Sequence, residues 1–192
     1  SGHCQIIILM KFHSHSVQKI VIKIGSNVLT KENGLNQVFF KNLAVQIAEL
    51  KQNGIIPILV SSGAMAAAMA SMEKSSRPKS IPEKQALAAF GQPLLVRQYI
   101  EDFSKHGISV GQVLLTRSDM NDRKRFLNAK HTLMALCDLD VVPIVNENDT
   151  VAVEEIQFGD NDELSALVAH LVDADLLVIL SHVDGVFDGN PS

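Results

Sequence analysis

Cysteine is scarce in this chain: Cys4 and Cys137 are the two among 192 residues. Two thiols give neither a disulfide framework nor metal-ligand spacing, a usage suited to a reducing cytoplasm. Positive charge is not concentrated either. The longest basic run is Arg123-Lys124-Arg125 and the formal net charge is −4, which argues against a nucleic-acid partner. No apolar run approaches the length of a membrane span, and no internal repeat or low-complexity tract interrupts the chain. What remains is an ordinary composition, 46% apolar and 20% charged, with enough residues for one domain with a sizeable core. The expectation is a cytoplasmic protein with no nucleic-acid or membrane partner.

The first residues stand apart. Ile6-Ile7-Ile8-Leu9 is too short for a signal peptide's apolar region, and no charged segment precedes it. Residues 1–9 are expected to be added sequence ahead of a native start at Met10, the competing reading being an extra edge strand. Residues 1–16 are assigned to an added or flexible segment and 17–192 to a single domain.

Short β-branched or apolar runs then alternate with helical patterns. Residues 19–24, 55–60, 108–115, 141–145 and 175–180 are expected strands. Leu35, Phe39, Leu43, Ile47 and Leu50 recur at helical spacing, with Gly54 as the stop. Residues 75–82 are expected to form a surface loop. Helices are expected over 83–106, interrupted near Gly91-Gln92-Pro93, over 121–137, and over 162–172. This alternation implies a mostly parallel sheet covered on both faces.

The stretch from Val145 to Ala166 is the most informative. Asn146-Glu147-Asn148-Asp149 follows a buried-strand pattern, and Gly159-Asp160-Asn161-Asp162 opens a helix. Strand ends and helix starts meet at one edge of an open α/β sheet, where ligands bind. Asn and Asp also mark turns, and Asp160 or Asn161 could simply cap a helix. Two such clusters at corresponding ends of neighbouring elements favour a polar-ligand site. The segment 150–158 is too short for a crossover helix and is expected to form a hairpin or flap beside it. Lys23, flanked by Ile22 and Ile24 and followed by Gly25-Ser26, needs a reason to stand in a buried strand, and phosphate contact supplies one. Ser61-Ser62-Gly63-Ala64, a small-residue turn before a helix, makes an anion-ready corner, though such residues also permit tight packing.

Together these motifs carry a resemblance. Val21-Ile22-Lys23-Ile24-Gly25-Ser26, Val60-Ser61-Ser62-Gly63-Ala64, Gly111-Gln112-Val113-Leu114-Leu115-Thr116, Asn128-Ala129, Asn146-Glu147-Asn148-Asp149 and Gly159-Asp160-Asn161-Asp162-Glu163-Leu164-Ser165-Ala166 resemble the glutamate-phosphorylating members of the amino acid kinase family. The resemblance runs from about residue 17 to the last. It implies a three-layer αβα sandwich and ATP-dependent phosphorylation of the L-glutamate γ-carboxylate, the first step of proline biosynthesis. By the same resemblance Lys23 and Asp162 are catalytic, Asp162 organising the lysine. Ser62, Gly63, Asp149 and Asn161 bind the acceptor, and Lys23, Gly25, Ser26, Ser181 and His182 meet the nucleotide. ATP and Mg²⁺ are the implied cofactors, the Mg²⁺ held by ATP and water with no protein metal site. Proline is the implied feedback inhibitor, and a homo-oligomer, dimer or tetramer, the implied assembly. The sequence departs from the family at His182, where Asp is usual. The family's pattern also continues past the position of Ser192, so the C-terminal part of its nucleotide lobe, with a second lysine, lies outside this sequence.

The chemistry suits the residue types. A glutamate side chain, with a pKa of about 4.3, is ionised at neutral pH and needs no general base. Catalysis then reduces to bringing two anions together and stabilising the transferring phosphoryl group. The alternatives are another member of the family, of the acetylglutamate kinase, aspartokinase or uridylate kinase type, or a non-catalytic amino-acid sensor.

Overall fold

The computed structural model describes residues 17–31, 34–74, 76, 78–152 and 161–180. The chain opens with β1 (Lys19–Ile24), a single helical turn α1 (Ser26–Leu29), and a small antiparallel pair, β2 (Thr30–Lys31) and β3 (Gly34–Leu35). Helix α2 (Gln37–Gln52) leads to β4 (Ile56–Ser61), then α3 (Ala64–Ser71) and the long α4 (Ile81–Phe103). After β5 (Ser109–Leu115) come α5 (Arg117–Asn121), α6 (Arg123–Asp138), β6 (Val141–Glu147), α7 (Asn161–Leu171) and β7 (Leu176–Leu180). The five long strands form one parallel sheet in the order β5-β6-β4-β1-β7.

Alternation along β1 divides the apolar side chains between two cores. Ile20, Ile22 and Ile24 pack on the face covered by α2 and α4, with Phe40, Leu43, Tyr99 and Phe103. Val21 packs on the other face with Leu133 of α6 and Leu164 and Val168 of α7. Period-two strands buried on both faces need helices on both, which gives the three αβα layers. Edge-to-face contacts at 4.9 Å (Phe40–Tyr99) and 5.6 Å (Tyr99–Phe103) order the first core, each worth about 0.5–1.5 kcal/mol beyond area burial.

The helix ends are set locally. Asn36 caps α2 by accepting from Phe39 N–H, which leaves Leu35 in β3 ahead of the helix. At the other end Gly54, at φ +75°, donates to Lys51 O, and Ile55 N–H reaches back to Leu50 O. That is the Schellman stop expected of Gly54. Two expectations fail around α4. The helix starts at Ile81, capped by Ser80, so Pro82 belongs to its first turn and not to the preceding loop. It also runs unbroken through Gly91-Gln92-Pro93. Pro93 and Ala89, four residues earlier, both lie on the exposed face, where water can satisfy the carbonyl left without a donor. The expected helix over 121–137 is α6, capped by Asp122, and a separate short α5, which the sequence reading did not anticipate, precedes it with a capping box of Thr116 and Asp119.

Candidate active site

Lys23 lies on the same face of β1 as Val21, toward α7, and its side chain is almost fully buried. Its ammonium meets Asp162 Oδ1, in the first turn of α7, at 2.6 Å. A lysine inside a sheet requires such an anion, since desolvating an unpaired charge is costly. Asp162 itself is half-exposed, so the pair sits at the boundary between core and solvent. A Cβ at Gly25 would lie 3.9 Å from Lys23 Nζ, which places the lysine's head at the turn closing β1. The Gly25 N–H is already given to Leu180 O at 3.2 Å, and it is Ser26 that borders the cleft described below.

Asn161, the first residue of α7, does not cap its helix with its side chain. Its buried Nδ2 donates to Ser61 O at 3.1 Å, Ser62 Oγ at 2.8 Å and Asn146 Oδ1 at 3.0 Å. Three acceptors around one NH₂ fix which end of the amide is nitrogen. The ends of β4 and β6 and the start of α7 are thereby tied together. Asn146 Oδ1 also accepts from Glu147 N–H at 2.9 Å. With its oxygen so used, the Asn146 NH₂ remains a donor at the cleft. Ser62, having accepted from Asn161, keeps its own proton for a ligand oxygen. Gly63 follows at φ +95°, a left-handed conformation that favours glycine, and starts α3 against Leu29.

These groups share one cleft of about 450 Å³, lined among others by Ser26, Ser62, Gly63, Lys84, Asn146, Glu147, Asp149 and Asn161. Both polar clusters singled out in the sequence thus reach the same space. Asp149 sits in a turn closed by Val151 and Ala152 N–H groups on Asn148 O. Burial pushes the Asp149 carboxyl up from its ordinary value. An acid so placed is suited to receiving a positive ligand group.

The support lies behind the cleft. The buried Tyr99 hydroxyl and Ser61 Oγ are 2.9 Å apart, and burial raises the Tyr99 pKa far enough to keep the phenol protonated at any physiological pH. Where α4 crosses α3, Gly91 leaves no room: a Cβ there would fall 1.8 Å from Ala64 O. Sequence reasoning placed Asn146 and Glu147 in the polar cluster without giving either a role, and did not assign Lys84, Tyr99 or Gly91 to the site. For Lys84 a signal existed, since Ser80 and Glu83 have capping-box spacing and mark the helix start that brings it to the cleft.

Ser181, His182 and all of the expected flap over 150–158 beyond Ala152 lie outside the described residues, as do residues 1–16. Among the described residues no three His, Cys, Asp or Glu side chains converge on a point. The carboxylate beside Lys23 is engaged by that lysine. No helix among the described residues is long and apolar enough to cross a membrane.

A parallel αβα sandwich with a buried lysine at one strand end and a polar cleft beside it defines a class that comparison with known proteins identifies. The profile of the amino acid kinase family matches residues 18–192, and the chain belongs to that family. Within it, the chain is similar to proteins named glutamate 5-kinase. It is 57% identical over 176 residues to the one from Geobacter metallireducens, covering 91% of this chain and 47% of the relative. Identity to the Thermus thermophilus protein is 53% over 176 residues, covering 92% of this chain and 48% of the relative. Identity to the Clostridium acetobutylicum protein is 49% over 178 residues, covering 92% and 67%. The chain spans about half the length of the first two of these relatives.

Proposed function

We propose that this protein is an enzyme that phosphorylates the γ-carboxylate of L-glutamate with ATP, giving L-glutamyl 5-phosphate and ADP at the first step of proline biosynthesis. A γ-carboxylate oxygen attacks the terminal phosphorus of ATP, and the bond from that phosphorus to the bridging oxygen of ADP breaks. The attacking group is already an anion, so no proton leaves it. Lys23 stabilises negative charge on the phosphoryl group and Asp162 holds the lysine in place. Ser62, Gly63 and Asn161 form the acceptor wall, and Asp149 receives the α-ammonium. Gly25 and Ser26 border the phosphates, and Ser181 and His182 belong to the nucleotide side. Mg²⁺ would be held mostly by ATP and water, and would supply charge neutralisation at the phosphates beside Lys23.

The observation that carries this reading is Asn161, whose amide joins Ser62 and Asn146 at the cleft that Asp149 also lines, one residue before the partner of Lys23. The names of the relatives support glutamate as acceptor. Proline, which shares glutamate's ammonium and carboxylate, is the proposed feedback inhibitor, and a cytoplasmic homo-oligomer, dimer or tetramer, the proposed form. The test is acyl-phosphate formation by the full-length protein, trapped with hydroxylamine, across a panel of acceptors. Glutamate should give the highest kcat/KM. Preference for N-acetylglutamate, aspartate or UMP would replace this reading with another branch of the family, and binding of glutamate without ATP turnover would leave a sensor.

A further inference from the structure

The assignment above leaves one charged group of the acceptor without a partner. Glutamate brings an ammonium, a reacting γ-carboxylate and an α-carboxylate. Asp149 answers the first and the Lys23 end of the site the second. An α-carboxylate drawn into a cleft that also holds Glu147 and Asp149 is penalised unless a cation meets it. Among the described residues lining that cleft, Lys84 is the cation.

Its backbone is well fixed. Ser80 caps α4, and Glu83 forms an ion pair with Lys74 and accepts from Lys79 N–H. On the other side Gln85 Nε2 donates to Ala152 O at 3.1 Å, and Ala152 N–H closes the Asn148 turn that contains Asp149. The first turn of α4 is thus anchored to the turn that presents Asp149, and one acid and one base are brought to the same wall.

We propose that Lys84 receives the α-carboxylate of the acceptor, so that Asp149 and Lys84 together select the zwitterionic head of an α-amino acid. The assignment rests on the acceptor-site reading above. It makes Lys84 a specificity residue: it acts on ground-state binding of glutamate and touches neither ATP nor the transferring phosphoryl group.

The test uses the full-length enzyme with Lys84→Met and Lys84→Arg, read as KM for glutamate, KM for ATP and kcat. A lost charged hydrogen bond predicts a roughly ten- to hundredfold rise in glutamate KM for Lys84→Met, with ATP KM within about twofold of wild type. Lys84→Arg should recover most of the loss. Glutamate α-amide, which keeps the γ-carboxylate but has a neutral α-group, should be a poorer acceptor than glutamate for wild type and be nearly indifferent to Lys84→Met. The assignment is overturned by an unmoved glutamate KM, by an ATP KM that rises in step, or by an arginine variant no better than methionine. If Lys84→Met does not fold, wild type decides: equal kcat/KM for glutamate and its α-amide overturns the assignment. Wild-type enzyme that phosphorylates neither acceptor instead removes the underlying functional reading.

Discussion

Asp149 is the residue at which stability and binding oppose each other. Its carboxyl is raised by burial in the ligand-free protein. An acid whose pKa is higher folded than unfolded binds its proton more tightly in the native state, so it costs stability as pH rises through that range and nothing below it. Asp149→Asn should therefore melt above wild type at neutral pH, with the gap closing toward about pH 4, the ordinary aspartate range. Scanning calorimetry at several pH values checks this, and a gap that widens on acidification contradicts it. The same change should weaken glutamate binding by about 1.5–3 kcal/mol while sparing ATP, measurable by titration calorimetry. Lys23 behaves differently because its partner Asp162 is half-exposed and can be hydrated when the lysine is gone. Lys23→Ala should lower kcat by on the order of 10²–10³ and change glutamate KM far less, as expected for a group that stabilises developing charge. An unchanged kcat would remove Lys23 from the phosphates. Lys23 stood out because a lysine in a buried strand needs a reason, and Asp149 and Asn161 because two polar clusters fall at corresponding ends of neighbouring elements. Asn146 fell in the first of those clusters but was given no role, because that role is a contact with Asn161, 15 residues away, that spacing does not reveal.

At the scale of the element, the sequence was most informative where one local rule decides. The strands and the Gly54 stop followed from β-branched runs and from a glycine at φ +75°. It misled at α4, where Pro and Gly in an otherwise helical pattern predict a break. Whether Pro93 breaks the helix depends on which face it occupies, and Gly91 answers to α3, not to its own helix. That contact gives a sharp prediction. In Gly91→Ala the new methyl would meet the backbone carbonyl of Ala64, which cannot rotate away as a flexible side chain could. Separating α3 from α4 should cost about 1–3 kcal/mol, in the usual range for overpacking. Because Ala64 lines the cleft, glutamate KM should rise as well, with ATP KM little changed. Denaturant unfolding and steady-state kinetics report the two effects separately. A variant as stable as wild type would mean that the two helices part more easily than their contact implies.

For the molecule as a whole, the parallel sheet collects the ends of β1, β4 and β6 on one edge, and Asn161 converts that proximity into a connected site. Fold class was readable from the alternation of strands and helices. The meeting of residues about a hundred positions apart was expected from the rule that ligands bind at strand ends, yet the bonds that make it required coordinates. The consequence is that Asn161 should act on global stability and on the acceptor together. Asn161→Ala leaves Ser61 O and Asn146 Oδ1 without that donor and should destabilise by about 1–3 kcal/mol. Asn161→Asp preserves size but turns a carboxylate oxygen toward those same acceptors. It should melt below the alanine variant at neutral pH and recover as the carboxylate is protonated in acid. Saturating glutamate should raise the wild-type melting temperature, as any ligand selective for the native state does, by about 2.7 kcal/mol of stability at a hundredfold excess over Kd. Both Asn161 variants should lose most of that shift. An aspartate variant more stable than alanine at neutral pH, or one still stabilised by glutamate as wild type is, would show that the Asn161 amide does not join the three elements to the acceptor.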